Sequence, residues 1–115
     1  MNLKEFYAAI GGDYADVIKR LQCESLIEQF LYKFIDDPSY GELKNALALG
    51  DISSAFRAAH TLKGLAATFG FKRLTESSSI LTEYLRSGNS LPPSSLIANV
   101  DNDYNAIVSE LEKTK

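Results

Sequence analysis

The chain has 115 residues, 45% of them hydrophobic, and a net charge of -3 at neutral pH. That length suggests one domain over residues 1–115, and the composition is that of a folding chain, not a disordered one. The acidic balance argues against nucleic acid as a partner. Cys23 is the only cysteine, so no intramolecular disulfide forms and a reducing compartment is expected. The opening Met1-Asn2-Leu3-Lys4-Glu5 lacks an apolar signal core, and no run approaches the roughly 18 apolar residues of a membrane span. The expectation is a cytoplasmic protein without membrane contact.

The pattern along the chain is helical throughout. Leu3 to Ile10 reads as a short helix stopped by Gly11-Gly12. Asp13 can cap a second helix with Tyr14, Val17, Ile18 and Leu21 as its apolar residues. From Glu24 the stripe changes phase: Leu26, Ile27, Phe30, Leu31 and Phe34 lie opposite the earlier set at about 100° per residue. One straight helix cannot bury both, which predicts a break near Gln22-Cys23. Asp37-Pro38 ends that helix. Ser39 to Leu49 turns Tyr40, Leu43 and Leu47 inward, with Gly50 as C-terminal cap and Asp51 as the next N-cap. Ile52 to Phe69 follows, then Lys72 to Ser87 with Leu74, Ser78, Leu81 and Leu85 in register. Pro92-Pro93 opens a last helix carrying Leu96, Val100, Tyr104, Ile107 and Leu111. No useful segment alternates with period two. The predicted fold class is all-α, an antiparallel four-helix bundle with additional short N-terminal helices.

The chemistry points to the Ile52–Phe69 helix. Ile52, Ala55, Ala59, Leu62, Ala66 and Phe69 form its apolar stripe, centred about 130° from His60. His60, the only histidine, therefore faces away from the core. Phe56, Arg57, Lys63, Gly64 and Ala67 share its surface. A lone helical histidine is commonly an ordinary surface residue, but that reading does not explain Gly64. Glycine within a helix costs about 1 kcal/mol relative to alanine, and here it clears space one turn from the ring. Between Asp51 and Glu76 there are four bases (Arg57, Lys63, Lys72, Arg73) and no acid, whereas the remaining positions hold 8 bases and 15 acids. Such a cluster stabilises a phosphoryl group or an acidic partner. Imidazole, which ordinarily titrates at about 6.5, is mostly neutral at pH 7 and keeps a ring nitrogen free to attack phosphorus.

Other chemistry lacks its residues. One histidine and one cysteine cannot build a His/Cys zinc site, and no Gly-rich phosphate loop is present for ATP. Ser77-Ser78-Ser79 has no histidine base near it in sequence and reads as a small-residue packing patch. No metal and no cofactor is expected, and no enzymatic activity of the chain's own.

The run Ala58-Ala59-His60-Thr61-Leu62-Lys63-Gly64-Leu65-Ala66-Ala67-Thr68-Phe69-Gly70-Phe71, followed by Leu74, resembles the histidine-containing phosphotransfer (HPt) domain. Gly11-Gly12-Asp13 looks like that family's early turn, and Leu81-Thr82-Glu83 to Arg86-Ser87-Gly88 is similar to its next helix. The resemblance extends from about Leu3 to Gly88, with the last helix similar in pattern only. It implies that His60 accepts a phosphoryl group from a receiver-domain aspartate and passes it to another. Lys63 would pair with the phosphoryl oxygens, Gly64 would admit the receiver's loops, and the magnesium for transfer would belong to the receiver. Phe56, Arg57 and Ala67 would border the partner. The implied partners are response-regulator receivers or a hybrid histidine kinase, with the protein itself a monomer. The chain ends at Lys115 without room for an ATP-binding domain, which favours a free-standing carrier over the phosphotransfer domain of a larger, chemotaxis-type kinase. A docking bundle that accepts no phosphate is the other alternative. Loss of the histidine or lysine would mark it, and both are present.

Overall fold

The computed structural model describes residues 2–88 and 90–113. Met1, Asn89 and the terminal Thr114-Lys115, which belong to the expected 1–115 unit, lie outside the described residues. Seven helices account for nearly all the described chain: α1 (Leu3–Ile10), α2 (Tyr14–Leu21), α3 (Glu24–Asp36), α4 (Ser39–Leu49), α5 (Ile52–Thr68), α6 (Lys72–Arg86) and α7 (Ser94–Glu112). No strand occurs among the described residues, and none of the helices is long and apolar enough to cross a membrane.

Capping chemistry sets most boundaries. The Asn2, Asp13 and Asp51 carboxamide or carboxylate oxygens accept from the backbone N–H three residues on, at Glu5, Asp16 and Ser54, satisfying donors that the first helical turn leaves unpaired. Gly11 and Gly50 close α1 and α4 in the left-handed region. The break near Gln22-Cys23 is present. Gln22 takes a φ of 61°, the only positive φ outside glycine among the described residues, and Cys23 then runs extended into α3. A hydrogen bond from the Tyr14 hydroxyl to the Glu24 carboxylate spans this corner.

The four later helices form an antiparallel bundle. α5 packs between α4 and α6, and α6 packs on α7. The ring closes where Tyr40 of α4 stacks on Tyr104 of α7 at 3.8 Å between centroids. Beside that stack the Tyr40 hydroxyl and the Lys44 ammonium both donate to the Asp101 carboxylate, at 2.6 and 2.8 Å. The N-terminal helices lie against one end: α1 touches α7 and α2, and α3 touches α2 and α7. Phe34 brings α3 into an aromatic cluster with Phe69, Phe71 and Tyr104.

Two details differ from the sequence reading. On α5 the buried face is wider than the expected stripe: Ala58 is buried as well, while Ile52 is only half-buried. The reason is that α5 is covered on two sides, by α4 and by α6. Of the apolar set on α2 only Val17 is fully buried, because α2 lies on the outside of the assembly. Ser77 and Ser78 are buried, and the Ser78 hydroxyl returns to the Leu74 carbonyl of its own helix.

Asp51 gives this fold a pH signature. The Ser54 hydroxyl, then the Ser54 N–H, hold its carboxyl below the ordinary carboxylate range. A depressed carboxylate pKa contributes stability above the unfolded value, and that contribution is lost as pH falls through the folded value. Asp51→Ala should therefore be less stable than wild type near neutral pH. The gap should close as pH drops below the carboxylate range, as read from denaturation midpoints at several pH values.

Candidate functional site

α5 presents a single open strip to solvent. Its alanines Ala55, Ala58, Ala59 and Ala66 are buried with Leu62, so the opposite residues, His60, Gly64 and Ala67, are exposed. His60 makes no side-chain hydrogen bond among the described residues, and the Phe56 ring meets its imidazole edge-on, 6.0 Å between centroids. Phe56, one turn earlier, is half-buried and packs against the core. It therefore gives the imidazole a fixed wall while the rest of the ring faces water.

Gly64 is one turn further on. A Cβ built there would meet no atom within 4 Å. Packing therefore does not require glycine at this position, and the helix bears its conformational cost without a structural return. The vacant volume lies on the His60 side of the helix, where a partner's backbone could approach. Lys63 is half-buried and forms no ion pair among the described residues, so its ammonium remains available to an incoming anion.

The remaining bases of the sequence cluster are not gathered at His60. Arg57 donates to the Ser53 and Ser54 hydroxyls at 3.1 Å each and lines an open groove between α4 and α5 with Asn45, Leu49 and Thr61. Lys72 lies 3.8 Å from the Asp13 carboxylate. The Arg73 guanidinium occupies the space that a Cβ on Gly11 would need. Both belong to the N-terminal contact, so Lys63 is the cation of the cluster that serves this surface. Ala67 sits at the far end of the strip, where its carbonyl and that of Thr68 accept from the Arg20 guanidinium of α2, at 3.3 and 2.6 Å.

The fold also supplies residues that the sequence reading did not select. Glu83 and Arg86 of α6 form a bidentate pair, 3.1 Å for each bond. The Arg86 guanidinium lies 5.1 Å from the Phe56 ring centroid. Arg86 first, and then Lys63 and His60, hold the Glu83 carboxyl below its usual range. The i, i+3 spacing of this pair is visible in the sequence. The face of α5 it would meet depends on how the two helices pack.

The Hpt domain family matches residues 38–112, and the chain belongs to it. No curated protein and no solved structure matches the chain. The match differs in extent from the expected resemblance. It begins at the start of α4, leaving α1 to α3 and the Gly11-Gly12-Asp13 turn outside, and it includes α7, where only a similar pattern was expected. Membership defines the chain as a histidine-containing phosphotransfer module of phosphorelays, of a class that carries phosphate and is not itself a kinase. Such modules work with receiver domains and histidine kinases.

The open space at Gly64 makes a direct prediction. Gly64→Ala should keep the fold and raise stability by up to about 1 kcal/mol, the helix-propensity difference between the two residues. Chemical denaturation of the free protein measures it. A steep loss of stability would mean that glycine is needed there for packing.

Proposed function

We propose that the protein is a histidine phosphocarrier in which His60 accepts the phosphoryl group of a receiver-domain aspartate and passes it to a second receiver. The observation that carries this reading is the exposed imidazole, backed by Phe56 and flanked by an open Gly64 and a Lys63 that forms no ion pair among the described residues. In the transfer step the unprotonated ring nitrogen forms the N–P bond as the aspartyl O–P bond breaks. The carboxylate leaves with the electron pair, and the ring proton stays on the other nitrogen. The reverse step hands the group to the next aspartate.

Each residue then has a role. Lys63 neutralises the phosphoryl oxygens by a charge-assisted hydrogen bond. Gly64 leaves room for the receiver's loops over the ring. Phe56, Arg57 and Ala67 border the docking surface, with Arg57 contributing from the α4 side. The carrier acts as one unit over residues 1–115, as a monomer in the cytoplasm, and relies on the receiver's chemistry and metal, with no cofactor of its own.

Label should appear on His60 alone when the protein is incubated with a phosphorylated receiver, and it should be labile to acid and stable to alkali. Labelling of a His60→Ala variant, or acid-stable label, would sink the proposal. Lys63→Ala should slow transfer on the order of tenfold, since a hydrogen bond to a charged group contributes about 1.5–3 kcal/mol and about 1.4 kcal/mol is a factor of ten. Its unfolding midpoint should stay near wild type. Gly64→Gln should fold normally and lose transfer more completely than Gly64→Ala, because the longer side chain reaches over the ring.

A further inference from the structure

Glu83 and Arg86 have no part in the carrier reading so far. They lie one turn apart on α6, and the pair bridges α6 to the His60 strip through Phe56, the same ring meeting the Arg86 guanidinium and the imidazole. More than half of each side chain is exposed, 54% for Arg86 and 59% for Glu83. An exposed pair of this kind is held weakly and exchanges partners readily.

A phosphoryl group on His60 would add about -1.5 to -2 charges at this spot. Arg86 of α6 shares the Phe56 ring with His60, Glu83 of α6 interacts electrostatically with Lys63 of α5 and with His60, and Arg57 is engaged with its own serines. A guanidinium offers forked donors that fit phosphoryl oxygens bidentately, and a phosphoryl dianion attracts it more strongly than a single carboxylate does. We propose that Arg86 is the second cation of the phosphorylated state, exchanging Glu83 for the phosphoryl oxygens on His60, and that the opposed charges of Glu83 and Arg86 set how long the group remains there. This rests on His60 being the acceptor.

The sign of each effect follows from how the group is lost. Water attacks phosphorus, the N–P bond breaks, the electron pair returns to the ring nitrogen and inorganic phosphate departs. A protonated ring leaves more easily, which is why phosphohistidine is acid-labile. A neighbouring carboxylate favours the protonated ring and a neighbouring guanidinium opposes it. Glu83 therefore shortens the lifetime and Arg86 lengthens it.

The test needs no cognate receiver. Phosphoramidate loads the full chain as its own P–N bond breaks and ammonia leaves, and phosphorus NMR then follows loss of the phosphohistidine signal after the donor is removed. Arg86→Gln should shorten the half-life on the order of two- to fivefold, the range of an exposed charge pair. Arg86→Lys should restore much of it, and Glu83→Gln should lengthen it by a similar factor. All three differences should shrink in about 1 M salt, where screening falls to about 3 Å, a response that a purely structural role would not give. Wild-type and variant half-lives that coincide, or two Gln variants that shift in the same direction, would overturn the inference and leave the carrier reading intact. Wild-type protein that takes no phosphoryl group on His60 would overturn both.

Discussion

The small side chains of α5 are the constraint on which the rest of the molecule depends. Interaxial distance between packed helices follows the size of the residues at the contact. Ala55, Ala58, Ala59 and Ala66 are all buried, so α4 and α6 can both approach α5 closely and cover that face from two sides. What remains is one narrow strip with His60 at its crest. Were α5 lined by leucines throughout, its neighbours would stand further off and the strip would widen into a loosely ordered face. Here the buried alanines hold the backbone, and a half-buried phenylalanine holds the imidazole's edge.

That division explains what could be read from the chain beforehand. Helix caps are local chemistry, so Asp13, Gly11, Gly50 and Asp51 mark their boundaries without tertiary information. The phase change at Gln22-Cys23 is likewise a property of spacing. His60, Lys63 and Gly64 share a helix, so their common face follows from 3.6 residues per turn. The rest depended on which helices meet. Ala58 is buried because α4 covers that flank, and Lys72 and Arg73 are drawn to the α1–α2 turn. Arg86 reaches the site only because α6 packs in one register against α5. A count of bases along the sequence cannot distinguish those outcomes.

The electrostatics of the site suit a carrier. Every charge near His60 is at least partly exposed, so each contributes modestly and is screened by salt. A deep, dry pocket would hold a phosphoryl group tightly and release it slowly. On the proposed reading, an open strip with a weak ion pair and a lysine that has no ion pair among the described residues would bind it loosely enough for a receiver to remove.

The N-terminal helices lie outside the family match, yet they fix the geometry of the site from its far end. The turn between α5 and α6 runs through Gly70, whose carbonyl accepts from the Asp13 N–H at 2.9 Å. A Cβ on Gly70 would meet Val17 Cγ2 at 2.4 Å, and one on Gly12 would meet the Gly70 carbonyl oxygen at 2.9 Å. Gly70 also has a φ of 70°, and a Cβ on Gly12 would meet the Tyr7 ring at 2.7 Å, so both glycines are required by close packing of this turn against side chains and backbone together. Arg20 adds its guanidinium to the last carbonyls of α5, where helix ends leave acceptors unpaired and favour positive charge. These contacts clamp the α5–α6 turn, and that turn sets the register of α6 along α5. Which α6 residues stand beside His60 is therefore decided partly by a segment that carries none of the phosphotransfer motif.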